Sequence, residues 1–94
     1  IVAAQPDAQR YLIGLVMAHN GQKDYASALA LLNQALAKRP TAGAHYARAL
    51  TYFNMGNRAA SLQDLNIALS AEPNNPAYRH LERQLSGAAP KAQR

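Results

Sequence analysis

The sequence predicts an all-α domain built from antiparallel helix pairs stacked as a short right-handed solenoid. Three observations lead there. The composition is alanine-rich and poor in β-branched residues, with five glycines and five prolines in 94 residues, which favours helix over strand. Apolar residues recur at i, i+3, i+4 and i+7 in several segments, the period of a helix face. A string at 11–21, YLIGLVMAHNG, returns at 46–56 as YARALTYFNMG, and self-similarity at such a spacing marks a helical repeat.

Taken in order, residues 1–10 (IVAAQPDAQR) read as a lead-in, with a helix from a preceding repeat ending at Pro6. Residues 11–41 form the first helix pair. Its first helix carries Tyr11, Gly14, Leu15 and Ala18, and its second Leu29, Leu32, Ala35 and Leu36. Residues 42–75 form the second pair, with Tyr46, Ala49, Leu50 and Phe53, then Leu62, Leu65, Ala68 and Leu69. Asn20-Gly21 and Gly56-Asn57 mark the turns inside the pairs. Pro40 and Pro73 close them, because proline lacks the N–H a continuing helix would need. A last helix, 76–86, opens on Pro76, a favoured first position, and shows Tyr78, Leu81 and Leu85 on one side. The tail 87–94 is small, polar and proline-bearing, and is expected to be disordered.

The spacing changes along the repeat. Tyr11, Gly14, Leu15, Met17 and Gly21 align with Tyr46, Ala49, Leu50, Tyr52 and Gly56, 35 positions on. Leu29, Leu32, Ala35, Leu36 and Pro40 align with Leu62, Leu65, Ala68, Leu69 and Pro73, 33 positions on. This alignment places two extra residues in the first copy, between Gly21 and Ala28. Gly14 or Ala49, facing Ala28 or Ser61, is expected to let the two helices of a pair approach to about 8 Å.

The ordered set Ala49, Tyr52, Gly56, Ser61, Leu62, Leu65, Ala68, Leu69 and Pro73 resembles the tetratricopeptide repeat. The resemblance covers 11–40 and 42–75, and 76–86 looks like that family's solvent-facing capping helix. The first copy departs by its two-residue insertion and by Met17 in place of an aromatic. The family's usual first-helix tryptophan is replaced by Arg10 and His45. Two repeats are fewer than usually stand alone, and the capping helix helps them do so.

Composition sets outer limits on function. With no cysteine, disulfides and thiolate zinc sites are excluded. No apolar run reaches the roughly 20 residues of a membrane span, and no signal peptide is visible. Cytoplasm and bacterial periplasm are both compatible. The start at Ile1 rather than Met suggests a fragment of a longer protein. The net charge is +5, but the basic residues are scattered and form no block, which disfavours nucleic acid.

No catalytic constellation can be assembled. Asp7, Asp24, Asp64, Glu72 and Glu82 include no pair at the spacing of a two-carboxylate site. His19, His45 and His80 fall on three different helices with no metal-binding spacing. His19 beside Asp24 reads as a surface histidine, since an oriented base also needs a nucleophile and none is supplied. Neither enzyme activity, nor a cofactor, nor a metal is expected.

Function is therefore expected on the face that stacked pairs expose. The resemblance implies a concave groove lined by the first helix of each pair, here Tyr11, Leu12, Leu15, Ala18 and His19, then Tyr46, Ala47, Leu50, Phe53 and Asn54. Burial beneath a cap or a neighbouring repeat is the competing account of these residues. The family's carboxylate clamp is not matched, because its positions carry Tyr11, Leu15, Ala47 and Leu50, and only Asn54 is suitably polar. The expected role is an adaptor that binds a protein or peptide, as an amphipathic helix or extended segment. Self-association, or positioning of substrate for a catalytic domain elsewhere in a longer chain, are the rival readings. Arg48 and Asp64 replace Ile13 and Leu31 of the other copy together, which predicts an ion pair across the second helix pair.

Overall fold

Four of the helix starts are prepared by a polar side chain placed just before them. The computed structural model describes the backbone of residues 4–87 and the side chains of residues 12–86. Five helices follow one another: α1 (Ala4–Gly21), α2 (Tyr25–Lys38), α3 (Ala42–Met55), α4 (Arg58–Ala71) and α5 (Pro76–Gly87). No strand occurs among the described residues. Asp24 accepts from Ser27 N at 3.3 Å, Thr41 from Ala44 N at 3.1 Å, and Asn57 from Ala60 N at 3.2 Å. Asn75 does the same for α5, accepting from Ala77 N at 2.9 Å. Each satisfies an N–H that the first turn leaves without a helical acceptor.

The ends of α1 and α3 are built alike, and they correct the alignment. Gly56 N donates to Phe53 O at 3.0 Å and Asn57 N to Tyr52 O at 2.9 Å. At the end of α1, Lys23 N donates to Asn20 O at 3.0 Å and Asp24 N to His19 O at 2.8 Å. Both are the paired bonds of a Schellman turn, which needs one left-handed residue. Gly56 takes that role in the second copy (φ 85°) and Lys23 in the first (φ 64°). Every corresponding position is 33 apart, so the expected two-residue insertion does not exist. What recurs is the left-handed site and not the glycine. Gly21 is an ordinary last helical residue, and Leu12, not Arg10, is the counterpart of His45.

Two further expectations give way. α1 begins at Ala4 and passes through Pro6 without a break, so no helix ends there. Proline is tolerated in a first turn, where its missing N–H had no partner to lose. Gly14 makes no close approach: it is exposed, and a Cβ added there would meet nothing within 4 Å. Val16 is the residue 33 before Ala49, and it is the one packed with Ala28. The expectation of a disordered tail lies, beyond Gly87, outside the described residues.

The helices form two layers. α1 packs on α3 and α3 on α5, while α2 packs on α1 and α3, and α4 on α3 and α5. Among the described residues α2 and α4 do not touch. Helices α1, α3 and α5 form an inner layer in continuous contact, and α2 and α4 an outer layer whose members stand apart. The core lies in two clusters on either side of α3. One joins Val16, Ala28, Leu32, Ala44 and Ala47; the other joins Ala49, Leu65, Ala68, Tyr78, Leu81 and Leu85. Helix α3 can be central because Ala44, Ala47 and Ala49 are small enough for neighbours on every side. Ser61 Oγ reaches across to donate to Ala49 O at 2.8 Å. A larger side chain at Ala49 would overpack this contact, at a cost of roughly 1–3 kcal/mol.

Candidate binding face

On α3, Tyr46, Leu50 and Phe53 are all half-buried, and Asn54 beyond them is exposed. Tyr46 and Phe53 are two helical turns apart, so they share one side of the helix. The three apolar members also rest on the second core cluster. The Tyr46 ring lies 4.8 Å from that of Tyr78 on α5, tilted by 37°, a favourable aromatic arrangement. Burial raises the phenol of Tyr46. It also raises that of Tyr78, where Glu72 and Tyr46 add to the effect. Ala47, expected in the groove, is instead fully buried core.

On α1 the positions in register with this face lie two residues beyond the expected ones. The positions 33 before Tyr46, Leu50, Phe53 and Asn54 are Ile13, Met17, Asn20 and Gly21. Ile13 and Met17 are half-buried and Asn20 is buried. Leu12 and Leu15 are half-buried and correspond to His45 and Arg48, which turn toward the outer layer. Ala18 is exposed and corresponds to the buried Thr51, so it lies on the outward end of the stack. The side chain of Tyr11 lies outside the described residues. His19 corresponds to Tyr52 and sits at the α1–α2 turn, with Nδ1 3.4 Å from Asp24 Oδ2. Hydrogen bonds from Ser27, and secondarily His19, hold the Asp24 carboxyl below its ordinary value.

Behind this face lies a polar cluster. Arg48 grips Asp64 with both arms: Nε donates to Oδ2 and Nη2 to Oδ1, each at 2.9 Å. Its remaining nitrogen, Nη1, donates to Asn33 Oδ1 of α2 at 2.9 Å. His45 Nδ1 lies 3.0 Å from Asp64 Oδ1. The Asp64 carboxylate is buried, and its bond to the Arg48 guanidinium raises the latter's pKa. His45 and Asn33 were not legible as partners from the alignment. The available signal was the i, i+3 spacing of His45 and Arg48, which puts both on one side of α3. Among the described residues no group of three or more His, Cys, Asp or Glu could hold a metal ion. No described helix is long and apolar enough to cross a membrane.

A protein-family model described as tetratricopeptide repeat matches residues 19–85. The chain belongs to the tetratricopeptide repeat family. Comparison with curated proteins and with solved structures returns no match. Tetratricopeptide repeats are non-catalytic modules that mediate protein–protein interaction. The two repeats share the turn inside each pair, the cap of the second helix and its C-terminal end at a period of 33, and Arg48 and Asp64 stand where the first has Leu15 and Leu31.

Proposed function

We propose that the concave face binds an apolar segment of a partner protein, helical or extended, with its anchors on α3. The observation that carries this reading is the half-buried line of Tyr46, Leu50 and Phe53 on the central inner helix. Side chains in that state are held in place by the core beneath them, yet keep apolar area for a partner to cover. Aromatic anchors in such settings usually dominate binding. Ile13 and Met17 flank the line from α1, and Asn54 supplies an amide at its end. The partner is an amphipathic helix or an extended strand with apolar residues at matching spacing. The net charge of +5 speeds association with an acidic partner and makes the rate salt-sensitive.

Panning of displayed random peptides on the 94-residue chain tests this, because no partner need be known. Selected peptides should carry paired apolar residues. Leu50→Ser and Phe53→Ala, checked for folding by circular dichroism, should each weaken their binding roughly 30-fold. Reversal of Arg79 and Arg83 to Glu should alter mainly the on-rate. Unchanged affinity in the α3 variants, with binding abolished by charge reversal, would sink the proposal in favour of a basic-surface mode. Sedimentation over a range of concentrations separates it from self-association, which requires a mass that rises with concentration.

A further inference from the structure

The seam between α1 and α3 is built differently from the seam between α3 and α5. At the second, Tyr46 stacks on Tyr78, and Leu50 and Phe53 pack on a cluster that includes Leu81 and Leu85. At the first, the residue in register with Phe53 is Asn20, only 8% exposed. Its Nδ2 donates to Thr51 Oγ1 at 3.1 Å, and that hydroxyl donates to Ala47 O at 3.0 Å. The amide oxygen of Asn20 is buried and meets no hydrogen-bond donor among the described residues. Turning the amide over does not cure this, because the single Thr51 hydroxyl proton is already given to Ala47.

A buried acceptor without a donor raises the free energy of the closed seam. In the described part of α1 the apolar contacts set against this cost are those of Val16 and the half-buried Ile13. Among its described side chains only Val16 and Asn20 are buried, and Gly14, Ala18 and Gly21 are exposed. Helix α2 has a tie to α3 that does not involve α1, the bond from Arg48 to Asn33, while Ala28 and Leu32 pack in one cluster with Val16 of α1 and with Ala44 and Ala47 of α3.

We propose that the α1–α3 seam is a built-in opening point of the stack. Helix α1 swings locally and reversibly from α3 while α2 to α5 stay folded, and water then supplies the donor that Asn20 Oδ1 lacks. The opening widens the inner face between α1 and α3, so the domain admits segments of different bulk by shifting between closed and open forms.

Amide hydrogen exchange on the 94-residue chain, followed by NMR, tests the proposal. Amides of α1 from Ile13 to His19 should exchange about 10-fold or more faster than those of Leu65 and Ala68 in α4. The double variant Asn20→Leu with Thr51→Val replaces the polar pair by apolar side chains of nearly the same shape. It should slow α1 exchange, relative to α4, by about 10-fold. Two results would overturn the proposal. One is wild-type α1 exchanging at the rate of α4; the other is a double variant in which the α1-to-α4 ratio is unchanged or increased. The wild-type ratio decides the matter even if the variant does not fold.

Discussion

Asp64 shows how one substitution becomes tolerable only in company. A buried carboxylate is costly unless paired and hydrogen-bonded, and here it is met by two Arg48 nitrogens and by His45. Arg48→Ala should therefore destabilise the domain by roughly 3 kcal/mol, chiefly by leaving Asp64 without its partner. The first repeat supplies the control, since Leu15 and Leu31 occupy the same two positions. Replacing Arg48 and Asp64 together by Leu should cost far less than Arg48→Ala alone. A double-mutant cycle by urea denaturation measures the coupling, and a coupling indistinguishable from zero would mean two independent surface charges. Two other residues run against local preference and should respond in the opposite direction. Gly14 lies mid-helix with open space where a Cβ would go, so Gly14→Ala should stabilise by about 0.5–1 kcal/mol. Lys23 holds a left-handed backbone that costs an L residue about 1 kcal/mol. Lys23→Gly should recover part of that, read as a raised melting temperature.

Among the elements, the caps matter as much as the helices they start. The Asp24 carboxyl is held below its ordinary value near 3.8, first by Ser27 and then by His19. The unfolded chain therefore takes up this proton before the folded one does. The stabilisation is complete above about pH 4 and is lost as pH falls through the lower folded value. Asn is an equally good cap and does not titrate. Thermal melts from about pH 5 to pH 2.5 should thus show a smaller fall in melting temperature for Asp24→Asn than for the parent. Equal slopes would mean that the cap bond does not depend on ionisation. At the other end of the stack, Arg58 Nη2 donates to Leu85 O at 2.5 Å. A cation is thereby placed at the C-terminal turn of α5, where the helix dipole favours it.

At the scale of the whole molecule, stability is the sum of thin contacts between neighbours, so the ends are decisive. Helix α5 contributes Tyr78, Leu81 and Leu85, all buried, to a cluster that otherwise holds only Ala49, Leu65 and Ala68. Removing residues 76–94 would delete those three side chains, with the burial they provide, and uncover the α3–α4 surface beneath. The loss, of order 2 kcal/mol for each side chain, is comparable with the whole stability of a domain this size. The truncated chain should show no cooperative melt by circular dichroism. A melt like that of the parent would mean that α5 does not seal the stack.

Helix type and order were legible in the sequence by itself, because the 3.6-residue periodicity, the glycine–asparagine turn pairs and the two closing prolines are all local signals. The second repeat was legible for the same reason, as was the joint departure of Arg48 and Asp64 from apolar residues of the other copy, although the sequence alignment pairs Arg48 with Ile13 and its counterpart is Leu15. The register of the first repeat was not. Gly21 and Gly56 look like counterparts, yet the recurring requirement is a left-handed residue two places further on, and Lys23 meets it without announcing it. That two-residue slip moved the candidate face of α1 from Tyr11 and Leu15 to Ile13 and Met17, since a two-residue shift turns a helix by more than half its circumference. Only the tertiary structure decided that His45 and Asn33 join the ion pair, and that Asn20 meets Thr51 with its oxygen unpaired. Those contacts join residues 15 to 31 positions apart, and whether polar groups so far apart meet is set by the packing of α1, α2, α3 and α4 and not by any property of the residues taken singly.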